Sequence, residues 1–298
     1  MACDWRDAVV LVQVTDGMLQ MFCNWLTSVR STLKLENDVY VAMHGSNLAG
    51  LQKSLSNLEI RSEHLLHGNM SVGTSNLSNF GGSSFYALNT AKISYALELL
   101  ERTGRPVLFS DIDTVWLKDP FSHLARTLNR DSVFAVGPDA NDKLHSDVVA
   151  DALAQRHHVC ACFFAACPSA AWLLKDWRSA TIAAGGGGGV AVNEQKALQR
   201  MLDRRPGLVV RGNKSTRSRV ANAAADSGGM RSARTAVVTI LDPAHFPTGQ
   251  KDPPIVPSHV WMHANWIQRR TRASTTTAKR LRLQKRGVWN PRCNGELG

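Results

Sequence analysis

Short apolar runs alternate with amphipathic segments along the first 110 residues of the chain. The apolar runs have the length and β-branched content of buried strands, and they lie at 9–14, 39–43 and 106–110. The segments between them carry apolar residues at helical spacing, at 18–33, 51–58 and 85–102. This strand–helix–strand alternation predicts an α/β fold with a mostly parallel sheet flanked by helices.

The second half of the chain is less regular. It predicts strands at 132–136 and 159–165 and helices at 170–177 and 192–202. The glycine run at 185–189 lacks the Lys and Ser/Thr of a phosphate loop and indicates a flexible link. Segment 211–235, rich in Ser, Arg, Ala and Gly, is predicted to be a flexible insertion in one domain that spans residues 1–298.

Composition narrows the function classes. A hydrophobic content of 44% supplies a core and argues against general disorder. The net charge of +11 includes an acid-free basic segment at 268–292. Nucleic-acid binding is not favoured, because no known module is present and few aromatics stand among the charges. Attraction of an anionic substrate is preferred, with a solvated basic face as the alternative. No apolar stretch is long enough to predict a membrane span.

The six cysteines show no zinc pattern, since C-x-x-C is missing. Cys160 and Cys162 alternate as on a strand, and we expect most of the cysteines to be free buried thiols. The apolar run near the beginning of the chain is too short for a signal peptide and leads into the first predicted strand.

Two carboxylates follow the strand at 106–110. Asp111 and Asp113 would lie at its carboxyl end, where open α/β sheets bind ligands. Hard oxygen ligands suit Mg²⁺ or Mn²⁺ with substrate phosphates. A surface turn or a calcium loop can contain the same D-x-D pattern, but the apolar flank at 115–117 and 120–121 favours a buried site.

The block SDIDTVWLKDP at 110–120, HANW at 263–266 and KRLRLQKRGVW at 279–289 resemble the nucleotide-diphospho-sugar transferase family. Its members include plant rhamnogalacturonan xylosyltransferases and extracellular arabinosyltransferases, which act on cell wall polysaccharide. The resemblance implies a GT-A fold and transfer, with retention and an α-linkage, from a UDP-sugar to a glycan or glycoprotein acceptor. It implies a Mn²⁺ or Mg²⁺ cofactor. It also implies the Golgi lumen if an N-terminal anchor is missing from this chain, and otherwise the cytoplasm.

The resemblance also implies a metal and phosphate site. Asp113 would bind the ion directly, and Asp111 would contact the ion or the donor ribose. His263 would be a third metal ligand, although a lone histidine is more often a core residue. Asn265 would bind the phosphates or the donor sugar, and Lys279 the diphosphate.

Further donor contacts follow from position. Relatives have an Asp-Gln pair facing the donor sugar at the place occupied here by Asn193, Glu194 and Gln195. Glu194 and Gln195 are therefore catalytic candidates, and Asn193 is a donor-binding candidate. The alternative is that the acid only stabilises the N-terminus of a helix through the helix dipole. Thr15 and Asp16 are candidates for the nucleotide. For Lys92, a donor-binding role competes with that of a surface lysine.

Three departures from the family pattern lie near these positions. Glu194 is one methylene longer than the acid in relatives, the segment after His263–Trp266 lacks the usual glycine, and a cysteine pair stands at 160–164 where relatives have a glycine turn. Two other functions stay open: a metal-dependent phosphohydrolase, which would need more carboxylates, and a non-catalytic basic protein that binds glycans or polyanions.

Overall fold

The computed structural model describes residues 3–33, 39–67, 83–128, 130–139, 159–185, 194–204, 208–212, 219–220, 236–247, 255–264 and 275–294. The strands are β1 (Val9–Thr15), β2 (Val39–His44), β3 (Leu65–His67), β4 (Val107–Ser110), β5 (Thr114–Trp116), β6 (Ser132–Pro138), β7 (Val159–Ala166), β8 (Leu208–Gly212), β9 (Arg219–Val220), β10 (Ala236–Ile240) and β11 (Trp261–His263). The helices are α1 (Leu19–Thr32), α2 (Leu48–Asn57), α3 (Ser83–Thr103), α4 (Pro120–Thr127), α5 (Ala171–Gly185), α6 (Glu194–Arg204) and α7 (Thr275–Lys285).

Nine of the described strands form one sheet in the order β3-β2-β1-β4-β7-β6-β10-β8-β9. The pairs β2–β3, β1–β2, β1–β4, β6–β10 and β8–β10 are parallel. Strand β7 runs antiparallel between β4 and β6, and β9 is antiparallel to β8. The predicted α/β class with a mostly parallel sheet is therefore confirmed.

Both faces of this sheet are covered, which explains why residues 9–12 of β1 are all apolar. Its side chains alternate between the faces. Val10 and Val12 pack with one buried cluster that includes residues of α1, whereas Val9 and Leu11 pack with a second cluster that includes residues of α3 and α5. A stretch of strand that is buried on both sides is typically a continuous apolar run.

Helix α7 is fixed at its C-terminal end by a glycine turn. Gly287 has φ +68°, a conformation that favours glycine, and the Val288 amide donates to the Leu283 carbonyl at 3.1 Å. The turn directs Trp289, which is 9% exposed, into the core beside Leu283. This packing anchors the helix that carries Lys279.

The predicted elements are found with shifted ends. Helix α5 runs on to Gly185, beyond the predicted end at 177, and the rest of the glycine run lies outside the described residues. Within the predicted insertion 211–235, residues 211–212 complete β8 and residues 219–220 form β9, and the remainder lies outside the described residues. The single domain stays a prediction.

The expectation of free thiols is wrong. The cysteines form three disulfides, Cys3–Cys167, Cys23–Cys293 and Cys160–Cys162. Two of them join residues that are 164 and 270 positions apart, so their pairing follows from the fold and cannot be read from the cysteine spacing.

Among the described helices, none has both the length and the apolar character required to cross a bilayer.

Candidate active site

The two carboxylates sit in a braced turn between β4 and β5. The Ser110 hydroxyl accepts from the indole nitrogens of Trp25 and Trp116, each at 3.3 Å, and lies 2.8 Å from the Thr114 hydroxyl. Thr114 in turn donates to the Asp111 carbonyl at 2.7 Å. These buried hydrogen bonds fix the backbone on both sides of Asp111 and therefore orient its carboxylate.

A separate two-stranded sheet brings in the histidine. Strand β11 pairs antiparallel with β5, and His263 lies opposite Thr114. The Ala264 amide donates to the Asp113 carbonyl at 2.8 Å and extends the pairing past the strand ends. The main-chain register thus places His263 beside Asp113 despite a separation of 150 residues.

Asp111, Asp113 and His263 each offer a ligand atom within 4.8 Å of the others. The His263 Nε2 atom lies 3.1 Å from Asp113 Oδ1. Two carboxylates and one imidazole form a donor set that fits a divalent ion such as Mn²⁺ or Mg²⁺. The structure thus brings together the three residues that the sequence singled out.

The two carboxylates differ in their electrostatics. Burial raises the pKa of Asp111 to about 6, against the attraction of Lys92, and the Asp113 charge adds to the rise. Burial alone would also raise the pKa of Asp113, but His263 and Lys279 outweigh it and hold that pKa well below the usual carboxyl range. Asp113 therefore stays ionised at neutral pH.

Lys279 joins this cluster from α7. Its ammonium donates to Asp113 Oδ2 and is partly buried, with 18% of the side chain exposed. The sequence predicted a lysine for the diphosphate, and the structure puts the ammonium at the carboxylate expected to hold the ion. A positive group here is positioned to meet an anionic substrate.

A second, fully buried charge pair lies behind the site. Lys92 Nζ is 2.9 Å from Glu194 Oε1, and the two side chains are 2% and 6% exposed. Burial by itself would lower the pKa of Lys92, but the charges of Glu194, Asp111 and Asp113 outweigh it and raise the pKa. The alternative that Lys92 is a surface lysine is wrong. Gln195 donates to Asp139 Oδ2 at 2.9 Å.

The remaining candidates lie outside this cluster or outside the described residues. Thr15 ends β1, and its buried hydroxyl has no partner in the described part of the chain. Asp16 accepts from the Gly17 amide at 2.9 Å. Asn193 and Asn265 lie outside the described residues, so their roles stay predictions.

Sequence reasoning missed two buried features. His44 ends β2 opposite Thr15, is fully buried, and lies 3.3 Å from the Gln13 amide nitrogen through its Nε2. A polar residue at the end of a predicted parallel strand was the available signal. The second feature is Cys160, whose Sγ lies 4.0 Å from His263 Nδ1. Nothing in the sequence links these residues, which are 103 positions apart.

Comparison with known proteins connects this geometry to a family. The model of the nucleotide-diphospho-sugar transferases matches residues 53–280. UDP-D-xylose:L-fucose alpha-1,3-D-xylosyltransferase 3 of Arabidopsis thaliana is 24% identical over 45% of this chain and 38% of the relative. UDP-galactose:fucoside alpha-3-galactosyltransferase of Dictyostelium discoideum is 26% identical over 33% of this chain and 15% of the relative.

The chain thus matches less than half of the length of each of these curated relatives. A crystal structure of an active-site mutant of LgtC covers 93% of this chain and 95% of that chain at 11% identity, with a TM-score of 0.43.

The family model extends over both the carboxylate turn and His263, and it ends within α7 just after Lys279. The glycosyltransferase class predicted from the resemblance is confirmed at the level of the family. The chain belongs to the nucleotide-diphospho-sugar transferase family.

Proposed function

We propose that this protein is a metal-dependent glycosyltransferase that moves a sugar from a UDP-sugar to a glycan acceptor with retention of configuration. The convergence of Asp111, Asp113 and His263 supports the proposal most directly. Chelation of a hard ion requires this clustering, and the ion is the usual partner of a nucleotide diphosphate.

In the proposed reaction, the bond between the sugar C1 and the diphosphate oxygen breaks, and its electron pair leaves with UDP. An acceptor hydroxyl forms the new bond to C1, and its proton passes to solvent. A divalent ion held by Asp111, Asp113 and His263 would offset the charge on the leaving diphosphate. The Lys279 ammonium supplies a second positive group at the same place.

The buried pair Lys92–Glu194 orients a carboxylate toward the donor sugar in this proposal. Glu194 Oε1 is held by Lys92, whereas Oε2 is buried and has no hydrogen-bond partner among the described residues. A buried acceptor without a partner is costly, and a sugar hydroxyl would satisfy it. Gln195, the next residue, is held by Asp139.

The relatives suggest which substrates to test first. Their names give UDP-xylose and UDP-galactose as donors and fucose or a fucoside as acceptor, with alpha linkages. Both donors are α-configured, so an alpha product retains configuration. We therefore propose retention, with a terminal fucoside as the first acceptor to examine.

We also propose that the protein works in the lumen of the secretory pathway, in the Golgi. Three disulfides support this location, because disulfides form and persist in oxidising compartments and are rare in the cytosol.

The test is a turnover assay with UDP-xylose and UDP-galactose, a fucoside acceptor and Mn²⁺. The matched variants are Asp113→Asn and Asp203→Asn, the second at an exposed position of α6. We expect Asp113→Asn to lower Mn²⁺-dependent transfer by about 100-fold or more, because loss of groups that merely support a ligand already costs 10–100-fold. Asp203→Asn should transfer sugar at the parental rate.

Other outcomes point to other functions. Release of phosphate without sugar transfer would indicate a phosphohydrolase. Salt-sensitive polyanion binding without turnover of any UDP-sugar would indicate a binding protein. Undiminished transfer by Asp113→Asn would refute the role of the metal.

A further inference from the structure

The Cys160–Cys162 disulfide lies beside the carboxylate cluster. Both cysteines are on β7, where residues two apart point to the same face of the sheet. The Asp111 amide donates to the Cys162 carbonyl at 2.8 Å, so β7 adjoins the carboxylate turn directly. Cys160 Sγ lies 4.0 Å from His263 Nδ1. The proposed sugar transfer makes no use of these sulfur atoms.

We propose that reduction of this disulfide creates a second metal site, formed by Cys160, Cys162 and the Nδ1 atom of His263, which takes a soft ion such as Zn²⁺. The site competes with the carboxylate site because both need His263. Zinc binding stands on its own geometry, whereas its effect on turnover rests on the proposed function.

The positions of the three ligand groups fit this site. Their ligand atoms all lie within 4.8 Å of one another, and each residue is 3% exposed. Tetrahedral Zn²⁺ with Zn–S of about 2.3 Å and Zn–N of about 2.05 Å places sulfur and nitrogen about 3.6 Å apart, and two sulfurs about 3.8 Å apart. The observed sulfur–nitrogen distance of 4.0 Å is within a few tenths of an ångström of that value.

Only the disulfide bond has to open. The Cα atoms of Cys160 and Cys162 are 5.2 Å apart on one face of the strand, so their thiols can separate by side-chain rotation. A dithiol reductant exchanges with the disulfide, giving two protein thiols and the oxidised cyclic disulfide of the reductant. The two cysteines then bind Zn²⁺ as thiolates, and their two thiol protons go to solvent.

The imidazole ring explains why the two sites exclude each other. A neutral imidazole has one nitrogen free to bind a metal and one N–H. If Nδ1 binds Zn²⁺, Nε2 carries the hydrogen and donates it to Asp113 Oδ1, which lies 3.1 Å away. This is the carboxylate–histidine–zinc arrangement that supports many zinc ligands. If Nε2 instead binds the ion of the carboxylate site, Nδ1 carries the hydrogen and cannot bind Zn²⁺.

Loop size separates this disulfide from the other two. Its cysteines are 2 positions apart, whereas those of the others are 164 and 270 apart. A cross-link that closes a very short loop restricts the unfolded chain least. Opening Cys160–Cys162 therefore leaves most of the disulfide stabilisation in place, and the site can form in the folded protein.

The experiment uses the full chain, reduced with dithiothreitol and desalted under argon, and titrated with Co²⁺ as a spectroscopic substitute for Zn²⁺. We expect one equivalent to give thiolate-to-cobalt charge-transfer absorption that Zn²⁺ abolishes, and no such absorption before reduction. The absorption should persist in Cys3→Ser/Cys167→Ser and be absent from Cys160→Ser/Cys162→Ser. Circular dichroism establishes that each protein is folded.

The single variant Cys160→Ser tests the same point with every other cysteine retained, and it should weaken Co²⁺ binding by about 10-fold or more. Reduced, folded protein without the absorption would overturn the site. So would absorption that survives Cys160→Ser/Cys162→Ser, because it would come from other thiols.

A turnover measurement then tests the competition. Sub-stoichiometric Zn²⁺ should inhibit Mn²⁺-dependent sugar transfer in proportion to occupancy in the reduced protein, and much less in the oxidised protein. Equal inhibition of both forms would overturn the competition. Cobalt absorption in a protein that transfers no sugar would leave the zinc site standing and refute only the proposed function.

Discussion

Replacement of Lys92 by methionine should destabilise the fold strongly. The change removes the partner of Glu194, whose carboxylate is 6% exposed and lies 2.9 Å from the ammonium. A buried carboxylate that loses its partner is strongly unfavourable.

The size of the effect follows from the burial of the pair. Removing one partner of a buried ion pair leaves an uncompensated charge, which costs about 3–5 kcal/mol. We therefore expect the free energy of unfolding of Lys92→Met at pH 7 to fall by about 3–5 kcal/mol.

Urea unfolding at pH 7, followed by tryptophan fluorescence, measures this change. The double variant Lys92→Met/Glu194→Gln should be less destabilised than Lys92→Met, because it leaves no unpaired buried charge at position 194. Arg30→Met is the matched control, because its partner Glu59 is 83% exposed and the pair contributes at most about 1 kcal/mol.

The reasoning fails if Lys92→Met/Glu194→Gln is destabilised as much as Lys92→Met. It also fails if the cost at pH 7 is below about 1 kcal/mol, because the pair would then behave like an exposed one.

Three further outcomes are expected. Lys279→Ala should weaken UDP binding about 10–100-fold in calorimetry, because a charge-assisted hydrogen bond contributes about 1.5–3 kcal/mol. Lys285→Ala, at an exposed position of the same helix, should change UDP binding little, and equal effects of the two substitutions would refute the role of Lys279. Cys23→Ser/Cys293→Ser should lower the free energy of unfolding by about 3–5 kcal/mol, because that disulfide closes a loop of 270 residues, and a loss below about 1 kcal/mol would contradict the account. Burial lowers the pKa of His44 to about 4, so the unfolded state binds more protons than the folded state between pH 6.5 and 4. The free energy of unfolding should therefore fall by about 3 kcal/mol as the pH is lowered from 6.5 to 4, and His44→Gln should reduce this fall in urea titrations.

The sequence predicted the carboxylate side of the site because its signal is local. Asp111 and Asp113 follow directly after an apolar run, and that run is β4. The position of a strand's carboxyl end is a property of the few residues around it. His263 could be named only through a resemblance, because the pairing of β11 with β5 joins segments about 150 residues apart and has no local signature.

Long-range pairing also explains the errors. The disulfides were missed because the spacing of cysteines gives no connectivity, and two of the three join opposite parts of the chain. The sequence left undecided whether Lys92 is buried, because a lysine on an amphipathic helix normally faces solvent. The charge of Glu194, 102 residues away, makes its burial tolerable together with the charges of Asp111 and Asp113.

Because β5 and β11 pair directly in the small sheet, the geometry of the site does not depend on the length of chain that joins these two strands. Main-chain register fixes His263 opposite Thr114, so the ligand geometry depends on three paired positions and not on the path that joins them. Lengthening a connecting segment costs little, about 0.6 kcal/mol for each doubling of a flexible loop. Connecting loops between Trp116 and Trp261 can therefore change in length while Asp113 and His263 keep their relative positions.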